Sequence, residues 1–70
     1  MPDHPELKNR LKHFRTEAGL TQADLAAAVM VSRKTINTVE NGVFVPSTIL
    51  SLRIAQALGV SVEDVFQLNV

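Results

Sequence analysis

Thr21–Gly42, TQADLAAAVMVSRKTINTVENG, decides the fold. The stretch reads as two short helices joined by a tight turn. Asp24 follows Thr21 at the spacing of a capping box, in which hydroxyl and carboxylate satisfy the orphan amides of a helix start. Leu20 and Leu25 flank that start as a hydrophobic staple. Ser32 opens the second helix, with Val31 and Ile36 at the same staple positions. Ser61 repeats the plan with Asp64, Val60 and Val65. Ser47, after Pro46, is a further candidate cap without a staple, because Ser51 stands where its apolar partner would.

The apolar spacing extends this reading outward. Leu7, Leu11, Phe14 and Ala18 share one face of a helix expected from about Glu6 to Ala18. Leu25, Ala26 and Val29 form the inner stripe of the second helix, and Ile36 and Val39 that of the third. Leu50, Ile54, Ala57 and Leu58 do so for a fourth, with Gly59 as its C-cap. Val62, Val65 and Phe66 mark a short fifth helix. Gly19 closes the first helix, and Asn41-Gly42 the third. No segment shows sustained strand alternation. The expected fold class is all-α, a compact five-helix bundle. Residues 1–5 read as a flexible N-terminal arm and residues 6–70 as one domain.

The 70 residues hold no cysteine, which excludes disulfides and thiolate metal sites. A core this small supplies only about 3–5 kcal/mol of net stability, so tight helix packing or a second subunit is expected. No signal peptide or membrane span is visible, and a cytoplasmic location is expected. Met1 is expected to be a natural start, while Val70 is open to being an internal boundary. His4 and His13 are the only histidines. His13 with Glu17 gives two ligands at most, so no metal and no cofactor are expected. Adjacent Glu63 and Asp64 belong to a helix start, and no histidine is placed to activate Ser32 or Ser61. An enzyme is not expected.

Seven Lys and Arg balance seven Asp and Glu, so net charge gives no sign of non-specific phosphate binding. The cations nevertheless gather modestly, against Asp3, Glu6, Glu17, Asp24 and Glu40 in the same segment. Lys8, Arg10, Lys12, Arg15, Arg33 and Lys34 all precede Gly42, and only Arg53 follows it. With Ile36 and Val39 turned inward, Arg33, Lys34, Asn37 and Thr38 must point outward or sideways. Arg and Lys read guanine in the DNA major groove, and Asn pairs with adenine. Thr35 has a methyl for thymine or a hydroxyl for phosphate. From charge alone, Arg33 and Lys34 read equally well as a solvated helix face. The two-helix frame favours double-stranded DNA.

The strings LKNRLKHFRTEAGLTQADLA, VSRKTINTVENG and VPSTILSLRIAQALGVSVEDVF resemble the Cro/CI-type (Xre-like) helix-turn-helix regulators of phages and bacteria. The resemblance runs from about Leu7 to Leu68. It implies a lambda-repressor-like DNA-binding domain that controls transcription, usually as a homodimer on operator DNA. It also implies site residues. Gln22 matches a phosphate anchor, and Ser32 and Asn41 match phosphate-contacting positions at the two ends of the third helix. Arg33, Lys34 and Thr38 match base-reading positions, with Thr35 and Asn37 placed for either role. Arg15 and Glu40 match an ion pair tying the first helix to the third.

Two departures stand out. Met30 occupies a turn position where the family usually has glycine, and a side chain there costs roughly 1–2 kcal/mol if φ is positive. Val43-Phe44-Val45 is more apolar than the family's loop. Its residues are expected either to be buried partly against the next helix or, with Ile49, Phe66 and the apolar tail, to form dimer contacts. The expected function is a dimeric repressor reading a palindromic operator. The alternatives are an antitoxin-type protein or a protein-interaction module with a partner protein, both on the same fold.

Overall fold

The computed structural model of the chain describes residues 6–69. The expected arm at residues 1–5, His4 within it, and Val70 lie outside the described residues. The elements run β1 (Leu7–Asn9), α1 (Leu11–Glu17), α2 (Gln22–Val29), α3 (Arg33–Glu40), α4 (Thr48–Leu58), α5 (Val62–Val65) and β2 (Phe66–Leu68).

Local chemistry starts four of the five helices. Thr21 and Ser61 form complete capping boxes with Asp24 and Asp64. The Ser32 and Ser47 hydroxyls accept from the Thr35 and Leu50 amides. Leu20, Val31 and Val60, the residues before three of these caps, are half-buried against the core. That core is Leu11, Leu25, Ala26, Val29, Ile36, Val39, Leu50, Ile54 and Val65, drawn from all five helices. In α4 the buried alanine is Ala55, and Ala57 is exposed. The stripe therefore runs through Leu50, Ile54 and Ala55 rather than through Ala57.

The expectation of an all-α bundle needs correction. The five helices are joined by a two-stranded antiparallel ribbon, with Leu7 opposite Leu68, Lys8 opposite Gln67 and Asn9 opposite Phe66. α1 begins at Leu11, not near Glu6. Arg10 stands outside helical geometry at φ −117°, ψ 27°. The Arg10 amide donates to the Val65 carbonyl at 2.8 Å, and the Leu11 amide donates to Asn9 Oδ1 at 3.3 Å. Leu7 sits on the α1 periodicity, but it also alternates with Asn9, and the strand places both half-buried with Lys8 out. A four-residue α5 cannot stand alone. Pairing the two chain ends satisfies the backbone beyond it, and Phe66 accordingly is extended, at φ −121°, ψ 130°.

The turn between α2 and α3 passes through Met30 in the left-handed region, φ 62°, ψ 42°. It is the one non-glycine residue with positive φ among the described residues. Its side chain is 72% exposed, so no burial offsets the strain.

Candidate nucleic-acid interface

α3 is anchored from one side and open on the other. Ile36 and Val39 are fully buried against α1 and α2, while Arg33, Lys34 and Asn37 are exposed. Thr35 and Thr38 sit half-buried at the flanks. The Thr35 hydroxyl lies 3.0 Å from Ser32 Oγ, and the Thr38 hydroxyl donates to the Thr35 carbonyl at 2.9 Å. Ser32 is exposed at the start of α3, and Asn41 is exposed at its end.

A polar network behind this face fixes where α3 sits. Arg15 donates from Nε to Glu40 Oε2 at 2.6 Å and from Nη2 to Oε1 at 3.3 Å. Its Nη1 donates to the Leu20 carbonyl at 2.8 Å. The two side chains are 10% and 4% exposed, so this is a buried fork between α1 and α3. Gln22 Nε2 donates both to Glu40 Oε1, at 3.1 Å, and to Asn37 Oδ1, at 3.2 Å. Asn41 Nδ2 donates to the same Asn37 oxygen at 3.3 Å. Asn9 adds a clamp, its Nδ2 donating to the Val39 carbonyl at 3.1 Å.

Gln22, Arg33, Lys34 and Asn37 line one open hollow of about 330 Å³ where the start of α2 meets α3. Among the described residues no carboxylate lines it, and two cations do. Gln22 occupies the first position of α2, where a backbone N–H lacks an intrahelical partner and the helix dipole favours an anion. The hollow therefore presents hydrogen-bond donors and positive charge to a polyanion. Asp24 stays inside its capping box. Hydrogen bonds from the Thr21 amide and hydroxyl hold its carboxyl below the ordinary aspartate pKa.

The apolar residues assigned to dimer contacts separate into two groups. Val43, Phe44, Val45 and Ile49 are exposed, whereas Phe66 is half-buried against the core and pairs with Asn9. The Val43–Val45 loop is thus less covered than burial against the next helix implies. Leu52, one turn beyond Ile49 on α4, is also exposed, and its i+3 spacing was the available signal. Sequence reasoning also missed Asn9, two residues before the first helix, and the hydrogen bonds that converge on Asn37. No helix among the described residues is long and apolar enough to cross a membrane.

Comparison with known proteins adds independent findings. Residues 11–65 match a family model described as helix-turn-helix. MJ0272, an uncharacterised HTH-type transcriptional regulator of Methanocaldococcus jannaschii, is 47% identical over 60 residues, 86% of this chain and 91% of that protein. The crystal structure of ClgR, the clp gene regulator of Corynebacterium glutamicum, superposes with a TM-score of 0.74 at 37% identity. That match covers 77% of this chain but only 57% of ClgR. SinR, a master regulator for biofilm formation crystallised in complex with DNA, matches with a TM-score of 0.70 at 27% identity, over 77% of this chain and 87% of SinR.

Proposed function

This chain belongs to the Cro/CI-type (Xre-like) helix-turn-helix family of transcriptional regulators, and from that premise we propose that it is a dimeric repressor reading a palindromic operator in the major groove. The observation that carries the reading is the convergence of Gln22, Arg33, Lys34 and Asn37 on one hollow at the open face of α3. Arg33 and Lys34 read base edges, guanine above all. Asn37 and the half-buried Thr35 and Thr38 read bases beside them. Ser32 and Asn41 meet the phosphates that flank the groove. Both Gln22 Nε2 hydrogens are committed inside the protein, so its phosphate contact runs through the backbone N–H at the start of α2. Binding chromosomal DNA places the protein in the cytoplasm.

Selection from a random duplex library at low salt tests this reading. The expected result is an enriched inverted repeat with half-sites about one helical turn apart, roughly 34 Å. Arg33→Ala should then lose about 1–3 kcal/mol of specific binding and relax one position of each half-site. Unchanged specificity would remove Arg33 from the readers.

Zero net charge and the exposed Val43–Val45 loop favour a second reading, a protein-interaction module on the same fold that has lost DNA binding. Salt separates the two. Several phosphate contacts make affinity fall steeply with salt, and a module that has lost DNA binding shows no such affinity to lose.

A further inference from the structure

The carboxylate of Glu40 sets the direction of every amide in front of it. A carboxylate only accepts, so the Gln22 atom bonded to Glu40 Oε1 must be Nε2. That same nitrogen meets Asn37, so the Asn37 atom facing Gln22 must be the oxygen. Asn41 meets the same Asn37 oxygen and must therefore present its own nitrogen. A carbonyl oxygen has two lone pairs, and Gln22 and Asn41 take both. What exposed Asn37 keeps for a ligand is its NH₂ group, a donor only.

The bidentate pairing of Asn with adenine needs both amide atoms, one accepting from N6 and the other donating to N7. Asn37 has no acceptor left for N6, so it could meet adenine only by donating to N7. Guanine presents N7 and O6, two acceptors, on the same edge. Resting on the reading of this chain as an operator binder, we propose that Glu40, acting through Gln22, fixes Asn37 as a donor-only reader that selects guanine over adenine. Glu40 is a positioning residue here, and Asn37 is the group that touches the base. The adenine preference expected of Asn37 from residue type alone is reversed by its neighbours.

Duplex selection with four proteins tests the inference: the unaltered chain, Asn37→Ala, Asn37→Asp, and the double variant Gln22→Ala with Asn41→Ala. All three substituted positions, Gln22, Asn37 and Asn41, are exposed or half-buried, and a melting curve confirms that each variant folds. Asn37→Ala should erase one base preference in each half-site, and in the unaltered chain that position should be guanine. Asn37→Asp turns the donor into an acceptor and should move the preference to cytosine, whose N4 amino group donates, by roughly tenfold. The double variant frees the Asn37 oxygen and should move the same position toward adenine, alongside a uniform loss of affinity.

Any base other than guanine at that position in the unaltered chain overturns the inference and leaves the operator reading standing. So does an Asn37→Ala motif identical to the original, which would make Asn37 a phosphate contact. Guanine retained by the double variant removes Glu40 and Gln22 from the specificity. No enrichment by any folded protein overturns the operator reading itself, and this inference with it.

Discussion

Arg15 and Glu40 are the residues on which the position of α3 most depends. Their fork is almost wholly buried, so removing one partner strands a charge that water cannot reach. Such losses cost about 3–5 kcal/mol, as much as a domain of this size holds in reserve. Arg15→Met should therefore unfold the protein at room temperature. Arg15→Met combined with Glu40→Leu leaves no stranded charge and should refold, and circular dichroism of the two variants checks the contrast. A folded single variant would show that water reaches the pair. The pairing could be inferred from the family resemblance, but its burial could not, because burial depends on how α1 packs on α3. Met30 is the opposite case, legible as an oddity because the family this chain resembles usually has glycine in that turn. Its positive φ costs about 1–2 kcal/mol, against the roughly 0.5–1 kcal/mol of extra chain entropy that glycine brings. Met30→Gly should raise the melting temperature by a few degrees, since about 1 kcal/mol corresponds to roughly 4–8 °C in a domain this small. An unchanged or lower value would sink the strain argument.

Helices were legible here because their signals are local. A cap and the amide that donates to it lie within one turn, so Thr21, Ser32, Ser47 and Ser61 can be read without knowing the fold. The strands were not legible. Each has three residues, too few to show a period, and each is ordered by a partner at the far end of the chain. The direction of Asn37 was hidden for the same reason, since it depends on Gln22 from another helix. The α2 capping box makes a prediction with a definite sign. Hydrogen bonds lower the pKa of Asp24 in the folded state. Its contribution is present above the ordinary aspartate value, about 3.9, and is lost as pH falls through the lowered folded value. Asp24→Asn should therefore narrow the gap between melting temperatures measured near neutrality and in strong acid. A variant whose acid sensitivity matches the parent would mean that Asp24 does not contribute to it.

The Cα atoms of the described residues span 29 × 22 × 21 Å, and this bears on how the domain could occupy an operator. Equivalent faces of two half-sites lie about 34 Å apart along DNA, farther than the 29 Å that the described Cα atoms span. A palindromic operator therefore requires two copies, each placing one α3. Net charge offers no help in joining them to DNA, because the chain is neutral overall. For the dimer proposed here, exposed apolar side chains are the natural candidates for contact between copies. Ile49 and Leu52 are neighbours on α4 at 64% and 55% exposure, and the half-exposed Val43–Val45 loop leads into that helix. Leu68 is exposed too, but the core and β1 already hold Phe66 beside it. Ile49→Lys with Leu52→Lys should thus leave the fold intact, since surface changes of this kind usually stay within about 0.5 kcal/mol. Sedimentation should find a dimer for the parent and a monomer for the variant. On DNA, the variant should bind a single half-site about as well as the parent does, yet lose the tighter, cooperative binding to the inverted repeat. A variant that still sediments as a dimer would move the interface off α4 and toward β2.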